Sequence, residues 1–207
     1  MLNNSHSSAR NGERLLFARA FLRHPLLLGS VIPSSRFLVK GVLDRIDWPR
    51  ARTIVEYGPG VGTITGEILG RMRPDARLVA IEMNPEFVRF LRASYPDERL
   101  RVVEGSAEHI NDFLRSNGLG KADYIVSGIP FSTLPAARRE QILRESRAAL
   151  APDGAFLVYQ FSSRVLSDLR RVFGEVERGF EPLNVLPAHL FFCRQANGNG
   201  HVNGSAP

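Results

Sequence analysis

Glycines at positions 58, 60 and 62 interrupt an apolar run, Thr53-Ile-Val-Glu-Tyr-Gly-Pro-Gly-Val-Gly-Thr63, where a strand must break into a loop. Glycine at these points removes the Cβ that would keep a ligand from the backbone. It also permits positive φ in a tight turn and lets the next helix aim its N-terminus at the site. A small anionic or nucleoside ligand is expected there. Downstream, Arg77-Leu-Val-Ala-Ile-Glu82 reads as a second buried strand ending in a carboxylate. The interval from the glycines is about twenty residues, the spacing that places an acid on a ribose diol.

The periodicity around this pair alternates. Strands are expected near 53–57, 77–82, 100–104, 122–127 and 154–161, and helices near 63–71, 85–95, 107–117, 136–149 and 163–173. Strands alternating with helices imply an α/β fold with a doubly wound, mostly parallel sheet. Two further runs, Val176 to Val185 and Ala188 to Arg194, can close the sheet as a strand pair joined at Leu186-Pro187. Ahead of the sheet, helices are expected over Glu13 to Arg23 and from about Ser35 to Ile46, the latter started by Pro33-Ser34-Ser35. The organisation expected is a flexible start (1–11), N-terminal helices (12–50), one catalytic domain (51–194) and a tail (195–207). That tail is rich in glycine and asparagine and has little to bury.

Composition narrows the class. A chain of 207 residues, 43% hydrophobic and 23% charged, fits one globular domain. The single cysteine, Cys193, excludes an internal disulfide and a cysteine metal cluster, and fits a reducing cytoplasm. No stretch approaches the roughly 20 apolar residues of a membrane span, and the polar start lacks a signal-peptide core, so a soluble or peripheral protein is expected. The net charge of +6 is concentrated early. Residues 1–50 hold eight Lys or Arg against Glu13, Asp44 and Asp47. Such an excess suits a polyanion, either nucleic acid or an anionic membrane surface, and does not separate the two.

The acid Glu56, two residues before Gly58, makes the pattern Glu-x-Gly-x-Gly-x-Gly, unlike the dinucleotide fingerprint. From Thr53 to Phe161 the chain resembles the class I methyltransferases that use S-adenosylmethionine. The resemblance implies a seven-stranded Rossmann-like sheet with an antiparallel last strand. It also implies that the loop Gly58, Pro59, Gly60, Gly62 passes under the methionine part of the cofactor, with Glu56 near its ammonium and Glu82 and Met83 at the ribose. In Val102-Val-Glu-Gly-Ser-Ala-Glu108 the family pattern has an acid where Ser106 stands. Gly105, Ser106 and Ala107 are the implied adenine contacts, with Ser106, Glu108 or a backbone carbonyl replacing the missing acid.

The fourth strand ends in Tyr124-Ile-Val-Ser-Gly-Ile-Pro-Phe131, at the carboxyl edge where doubly wound sheets collect ligands. It resembles the Asn/Asp-Pro-Pro-Tyr and Asn-Leu-Pro-Tyr motifs of amino-nitrogen methyltransferases, with Ser127 in place of Asn or Asp. Ser127, Gly128, Ile129 and Pro130 are thereby implied around the methyl acceptor, Ser127 also touching the cofactor, and Phe131 is the implied aromatic cover. Three segments are similar to one family: Gly29-Ser-Val-Ile-Pro-Ser-Ser-Arg-Phe-Leu38, Ser127 to Phe131, and Leu183-Asn-Val-Leu-Pro-Ala-His-Leu-Phe191. That family is the bacterial phospholipid N-methyltransferases, related to the ribosomal RNA adenine dimethyltransferases and including the ornithine-lipid enzymes. It implies successive methylation of a lipid head-group amine at the inner face of the membrane, with an N-terminal helix resting on the bilayer.

The residues of that helix are compatible with such a role. Leu16 and Ala20, and Phe17 and Phe21, recur at helical spacing with Arg19 and Arg23 on another side, although a core element over the active site fits them equally. A lipid amine has a pKa of about 10, so the site must select or create its neutral form. Tyr159, at the carboxyl half of the fifth strand, can accept a hydrogen bond from the amine or face the methylammonium through its ring. Ser34, Ser35, Arg36, Lys40 and Arg164 offer donors suited to phosphate or carboxylate. The expectation is an S-adenosylmethionine-dependent N-methyltransferase with no metal requirement, acting on phosphatidylethanolamine or, close behind, ornithine lipid. An RNA adenine methyltransferase and a non-catalytic cofactor-binding module are the alternatives.

Overall fold

The computed structural model describes residues 35–184 and 186–195. Among them seven strands form one sheet: β1 (Thr53–Tyr57), β2 (Arg77–Glu82), β3 (Leu100–Glu104), β4 (Ala122–Ser127), β5 (Leu150–Gln160), β6 (Gly174–Glu181) and β7 (Ala188–Gln195). Their order across the sheet is β3-β2-β1-β4-β5-β7-β6. The first five are mutually parallel, and β7 runs antiparallel between β5 and β6. Six α-helices connect them: α1 (Arg36–Leu43), α2 (Thr63–Arg71), α3 (Pro85–Ser94), α4 (Ile110–Ser116), α5 (Ala136–Ala149) and α6 (Leu166–Phe173).

Successive strand residues face opposite sides, so each strand supplies two cores. Ile54, Leu78, Ala80, Val126, Leu157 and Leu190 pack under α1 and α2. Val55, Val79, Ile81, Ile125, Phe156, Val158 and Phe191 pack under α4, α5 and α6. Cys193 is buried in this second layer, and desolvation pushes its thiol well above the ordinary range. The same alternation sorts the polar positions. Glu56, Glu82 and Tyr159 fall in step with the first face, and Ser127 and Gln160 with the second.

Local chemistry sets the helix starts. Ser35 caps α1, its Oγ accepting from Leu38 N–H at 3.2 Å. Asn84 caps α3 in the same way through Glu86 N–H at 2.8 Å, with Pro85 in the first turn. Two contacts hold α1 to the last hairpin: Ser35 N–H donates to Asn184 Oδ1 at 2.8 Å, and Arg45 forks onto Glu177 at 2.6 and 2.8 Å.

Four boundaries differ from expectation. The helix expected to reach Ile46 ends at Leu43 with Asp44 as its cap. β5 begins at Leu150, four residues early, because a bulge opposite Ala122 and Tyr124 lets the chain pair before Gly154. β6 spans 174–181 instead of 176–185, since Glu181 turns the chain by accepting from Leu183 N–H at 2.7 Å. Gln195, expected in the tail, ends β7 opposite Gly174. The expected helix over 13–23, the start signal at Pro33 and Ser34, and residues 196–207 lie outside the described residues.

The second core centres on Phe156, stacked on Phe173 at 5.3 Å and met edge-on by Tyr57 and Phe131. Phe156→Ala should cost about 3–5 kcal/mol of stability, the range for emptying a buried aromatic site. A denaturant melt of the variant beside the parent measures it.

Candidate functional site

The strand order reverses beside β1, which hydrogen-bonds to β2 on one side and β4 on the other, and ligands of doubly wound sheets collect at such a switch point. At that edge Tyr57 lies opposite Ser127, and two loops leave side by side. Gly58, Gly60 and Gly62 all take positive φ (64°, 55° and 76°), a region that other residues enter at a cost. Gly62 is also confined by packing: a Cβ there would lie 2.5 Å from the Tyr95 ring, whose hydroxyl donates to Gly62 O at 2.6 Å.

Glu82 ties the loop to the neighbouring strand. Its Oε2 accepts from Gly60 N–H at 3.1 Å and its Oε1 from Asn84 N–H at 2.9 Å. Each carboxylate oxygen keeps a further lone pair for a hydroxyl donor. Glu56 lies deeper, fully buried, accepting from Thr65 Oγ1 of α2 at 2.7 Å. Burial, opposed by the Thr65 hydrogen bond and reinforced by the charge of Glu82, pushes its pKa up to about 7. Burial also raises Glu82, against hydrogen bonds from the backbone of Asn84, Gly60 and Met83.

Between the loops runs a cleft of about 190 Å³, lined by Gly58, Glu82, Met83, Gly105, Ser106, Ala107, Gly128, Ile129, Pro130 and Arg138, among others. At one end Arg138 pairs with Glu108 and donates to Ser106 Oγ at 3.4 Å, so a carboxylate stands next to the serine that replaces the expected acid. At the other end Gly128 N–H donates to Tyr57 O at 3.1 Å, and a Cβ on Gly128 would lie 2.2 Å from the Tyr159 hydroxyl. Gln160 Nε2 donates to Ile129 O at 2.6 Å and fixes this second loop.

Several expected site residues therefore meet, and others do not. Ser127 is fully buried and its Oγ accepts from Ile129 N–H at 3.4 Å, so its side chain shapes the turn from below and is not part of the cleft lining. Phe131 is likewise fully buried, packed against Phe156 and outside that lining. Ser35 is committed to capping α1, and Lys40 pairs with Asp44 one turn further along the helix. Arg36 and Lys40 line a separate hollow between α1 and α2, and Arg36 lies over the Phe37 ring at 4.8 Å. Arg164 is exposed in the turn after β5. Ser34 lies outside the described residues. Thr65, Tyr95, Arg138 and Gln160 were not anticipated. Each acts through a partner distant in sequence, and only the Asn84-Pro85 helix start carried a local signal.

A larger concavity of about 750 Å³ opens at the opposite edge of the sheet, among Lys121, Arg144, Arg147 and Arg171. It lies at the amino ends of the parallel strands, away from both loops.

A family model described as a methyltransferase domain matches residues 54–154. An ornithine lipid N-methyltransferase of Singulisphaera acidiphila is 36% identical over 181 residues, which cover 86% of this chain and 94% of that protein. The chain belongs to the class I S-adenosylmethionine-dependent methyltransferases. The phospholipid N-methyltransferase family anticipated from its short motifs, which includes the ornithine-lipid enzymes, is thereby its own. A ribosomal RNA small subunit methyltransferase A of Acidithiobacillus ferrooxidans is 35% identical over only 79 residues, covering 38% of this chain and 28% of that protein. Human methyltransferase-like protein 13, solved in complex with SAH, shares the fold at a TM-score of 0.58 and 16% identity, covering 86% of this chain and 83% of that one.

S-adenosylmethionine is the cofactor of this family, and the cleft suits it. Glu82, a carboxylate with spare acceptor capacity, would suit a diol, the glycine backbone would suit the chain of the amino acid, and the buried acid Glu56 would suit an ammonium.

Two outcomes are expected. Folding holds a proton on Glu56 that the unfolded chain has released, so stability falls as pH rises from the ordinary 4.5 through about 7. The full effect is about 3 kcal/mol. Glu56→Gln should flatten thermal melts recorded between pH 5 and 8, leaving the smaller slope that Glu82 contributes in the same direction. Gly128→Ala should turn the Tyr159 ring aside. Acceptor turnover should then fall by about 100-fold, as a 1 Å misplacement can cause, with a smaller loss in cofactor affinity by calorimetry.

Proposed function

We propose that this methyltransferase acts on the head-group amine of a membrane aminolipid, with ornithine lipid ahead of phosphatidylethanolamine. The observation that carries the reading is the likeness to the Singulisphaera ornithine lipid N-methyltransferase over 86% of this chain and 94% of that protein, whereas the RNA enzymes match 38–64% of this chain and at most 40% of their own length. That likeness is the reason for proposing ornithine lipid before phosphatidylethanolamine, the reverse of the sequence expectation.

The bound cofactor supplies an electrophilic methyl on a cationic sulfur, so the chain's work is positioning and exclusion of water. Glu82 receives the ribose hydroxyls, Glu56 balances the ammonium, and the pair Arg138 and Glu108 with Ser106 borders the adenine. The backbone of Gly128, Ile129 and Pro130 frames the acceptor nitrogen. Because Gln160 and the Phe131 N–H already occupy the Ile129 carbonyl, and Thr133 the Pro130 carbonyl, the Gly128 carbonyl is the group of this turn proposed to accept from the amine, beside Tyr159. The Tyr159 ring faces the positive charge that passes from sulfur to nitrogen in each transfer, and the product ammonium releases a proton before it can accept another methyl. The neutral amine is the nucleophile, and turnover rises with pH toward the amine's own pKa of about 10.

A membrane setting, at the inner face and on an anionic surface, follows from the acceptor. Among the described residues no helix is long and apolar enough to cross a membrane, so the contact is peripheral.

Labelled S-adenosylmethionine, offered with vesicles of ornithine lipid, vesicles of phosphatidylethanolamine, or unmethylated ribosomal RNA, tests this reading. Label is expected in ornithine lipid. Glu82→Ala should weaken cofactor binding by about 10- to 100-fold, since a hydrogen bond to a charged group contributes about 1.5–3 kcal/mol. Label in RNA alone would overturn the lipid acceptor.

A further inference from the structure

Six large apolar side chains are exposed among the described residues, from 38% for Phe37 to 62% for Leu183. All six lie at the carboxyl edge of the parallel strands. Met83 follows β2 and belongs to the cofactor cleft. Phe161 follows β5. Phe180 is level with Gln160, because both strands pair with β7 at His189. Leu183 and Leu186 make the turn between β6 and β7. Phe37 stands in the first turn of α1, brought to that hairpin by the hydrogen bond from Ser35 to Asn184. The opposite edge instead presents cations around the larger concavity. Apolar residues scattered singly over a surface need no partner, whereas their segregation to one edge marks an interface.

We propose that Phe37, Phe161, Phe180, Leu183 and Leu186 form a rim that docks on the lipid bilayer, with the β6–β7 turn entering the acyl region. The inference deepens the aminolipid reading and rests on it. The rim brings the head group to the edge where the turn from Gly128 to Pro130 opens, so the acceptor does not have to leave the membrane. The occupant follows from shape and charge. The five side chains project from three separate elements as tips, which suits a fluid surface better than a complementary protein face. Arg36 and Arg164 are exposed beside them, at the level where guanidinium groups meet lipid phosphates while apolar neighbours go deeper. Arg36 lies over Phe37 itself. The acid of the turn, Glu181, is engaged by the Leu183 N–H and holds the turn's shape. The Phe180 ring packs on His189 at 5.2 Å, so this tip is braced from behind.

The chain's own Trp48 gives the experiment its control. It packs on the first core before β1 starts, beside Asp47, whose N–H donates to the hydroxyl of Tyr124 near the start of β4, so it lies at the far edge of the sheet. In the full chain, Leu183→Trp should show fluorescence quenched by vesicles of phosphatidylglycerol and ornithine lipid with brominated acyl chains. The parent, with Trp48 alone, should not. Leu183→Asp/Leu186→Asp should lower vesicle partition by at least about tenfold, because burying even part of two leucines contributes more than the 1.4 kcal/mol of one decade. The same variant should still methylate a short-chain aminolipid dispersed in water, with unchanged cofactor binding showing that it is folded.

An unquenched indole at the turn, or vesicle partition unchanged by the two aspartates, would overturn the rim while leaving the acceptor class standing. Loss of a dimer on a sizing column with vesicle binding intact would assign the rim to a second copy of the chain and overturn the inference as well. If the parent methylates no aminolipid in either presentation, the proposed function fails, and the quenching result then judges the docking surface by itself.

Discussion

The carboxylate of Glu82 joins parts of the molecule that the chain keeps apart. One oxygen holds Gly60 in the glycine loop, the other holds Asn84 at the start of α3, and the backbone carbonyl of the same residue accepts from Gly105 N–H after β3. Three strand ends and the loop between β1 and α2 are thus set against one residue. Because the Gly60 and Asn84 donors are backbone groups, they would lose their partner without the acid. In the proposed reading architecture and ligand chemistry meet in that residue: the carboxylate that orders the loop is also the group proposed for the cofactor's diol.

Below it, Glu56 carries the electrostatic cost of the site. A carboxyl deprived of water holds its proton to about pH 7, so the cleft is assembled with an acid whose ionisation awaits a cation. The S-adenosylmethionine ammonium is such a cation in the proposed reading, and the Thr65 hydroxyl keeps the acid oriented in the meantime. On the other side of the switch point, Gln160 and Ser127 form the turn from beneath while Tyr159 closes on Gly128 from the opposite face. The parity of a strand therefore assigns adjacent residues different work: Tyr159 packs against Gly128 from one face and Gln160 supports the loop from the other.

The strands β1, β2, β3 and β4 fall where alternation and apolar runs place them, since β1, β2 and β4 are largely buried on both faces, the edge strand β3 is partly so, and each is bounded by residues that do not continue it. The Rossmann-like sheet, the glycine loop and Glu82 were readable for the same reason, their signals being local in the chain. Roles that depend on direction were not readable. Ser127 and Phe131 stand in a motif whose resemblance implied a place at the acceptor, and both side chains are fully buried, Phe131 in the core under α5 and α6. Ser35 and Lys40 were chosen for their donors, yet Ser35 Oγ serves as the acceptor that caps α1 and Lys40 pairs with Asp44 at the end of the same helix.

The sequence by itself determined the order of strands and helices, the cofactor class and the family, because glycine spacing, buried runs and short motifs survive in one dimension. Only the tertiary structure decided which side chains reach the cleft. It brought Arg138 to Ser106 and Gln160 to Ile129 across about thirty residues of chain, and it gathered Phe37, Phe161, Phe180, Leu183 and Leu186 at one edge. Each of those residues reads in the sequence as an ordinary arginine, glutamine or apolar position. Their meaning comes from packing, which turns distance along the chain into neighbourhood and leaves unburied only what another surface can cover.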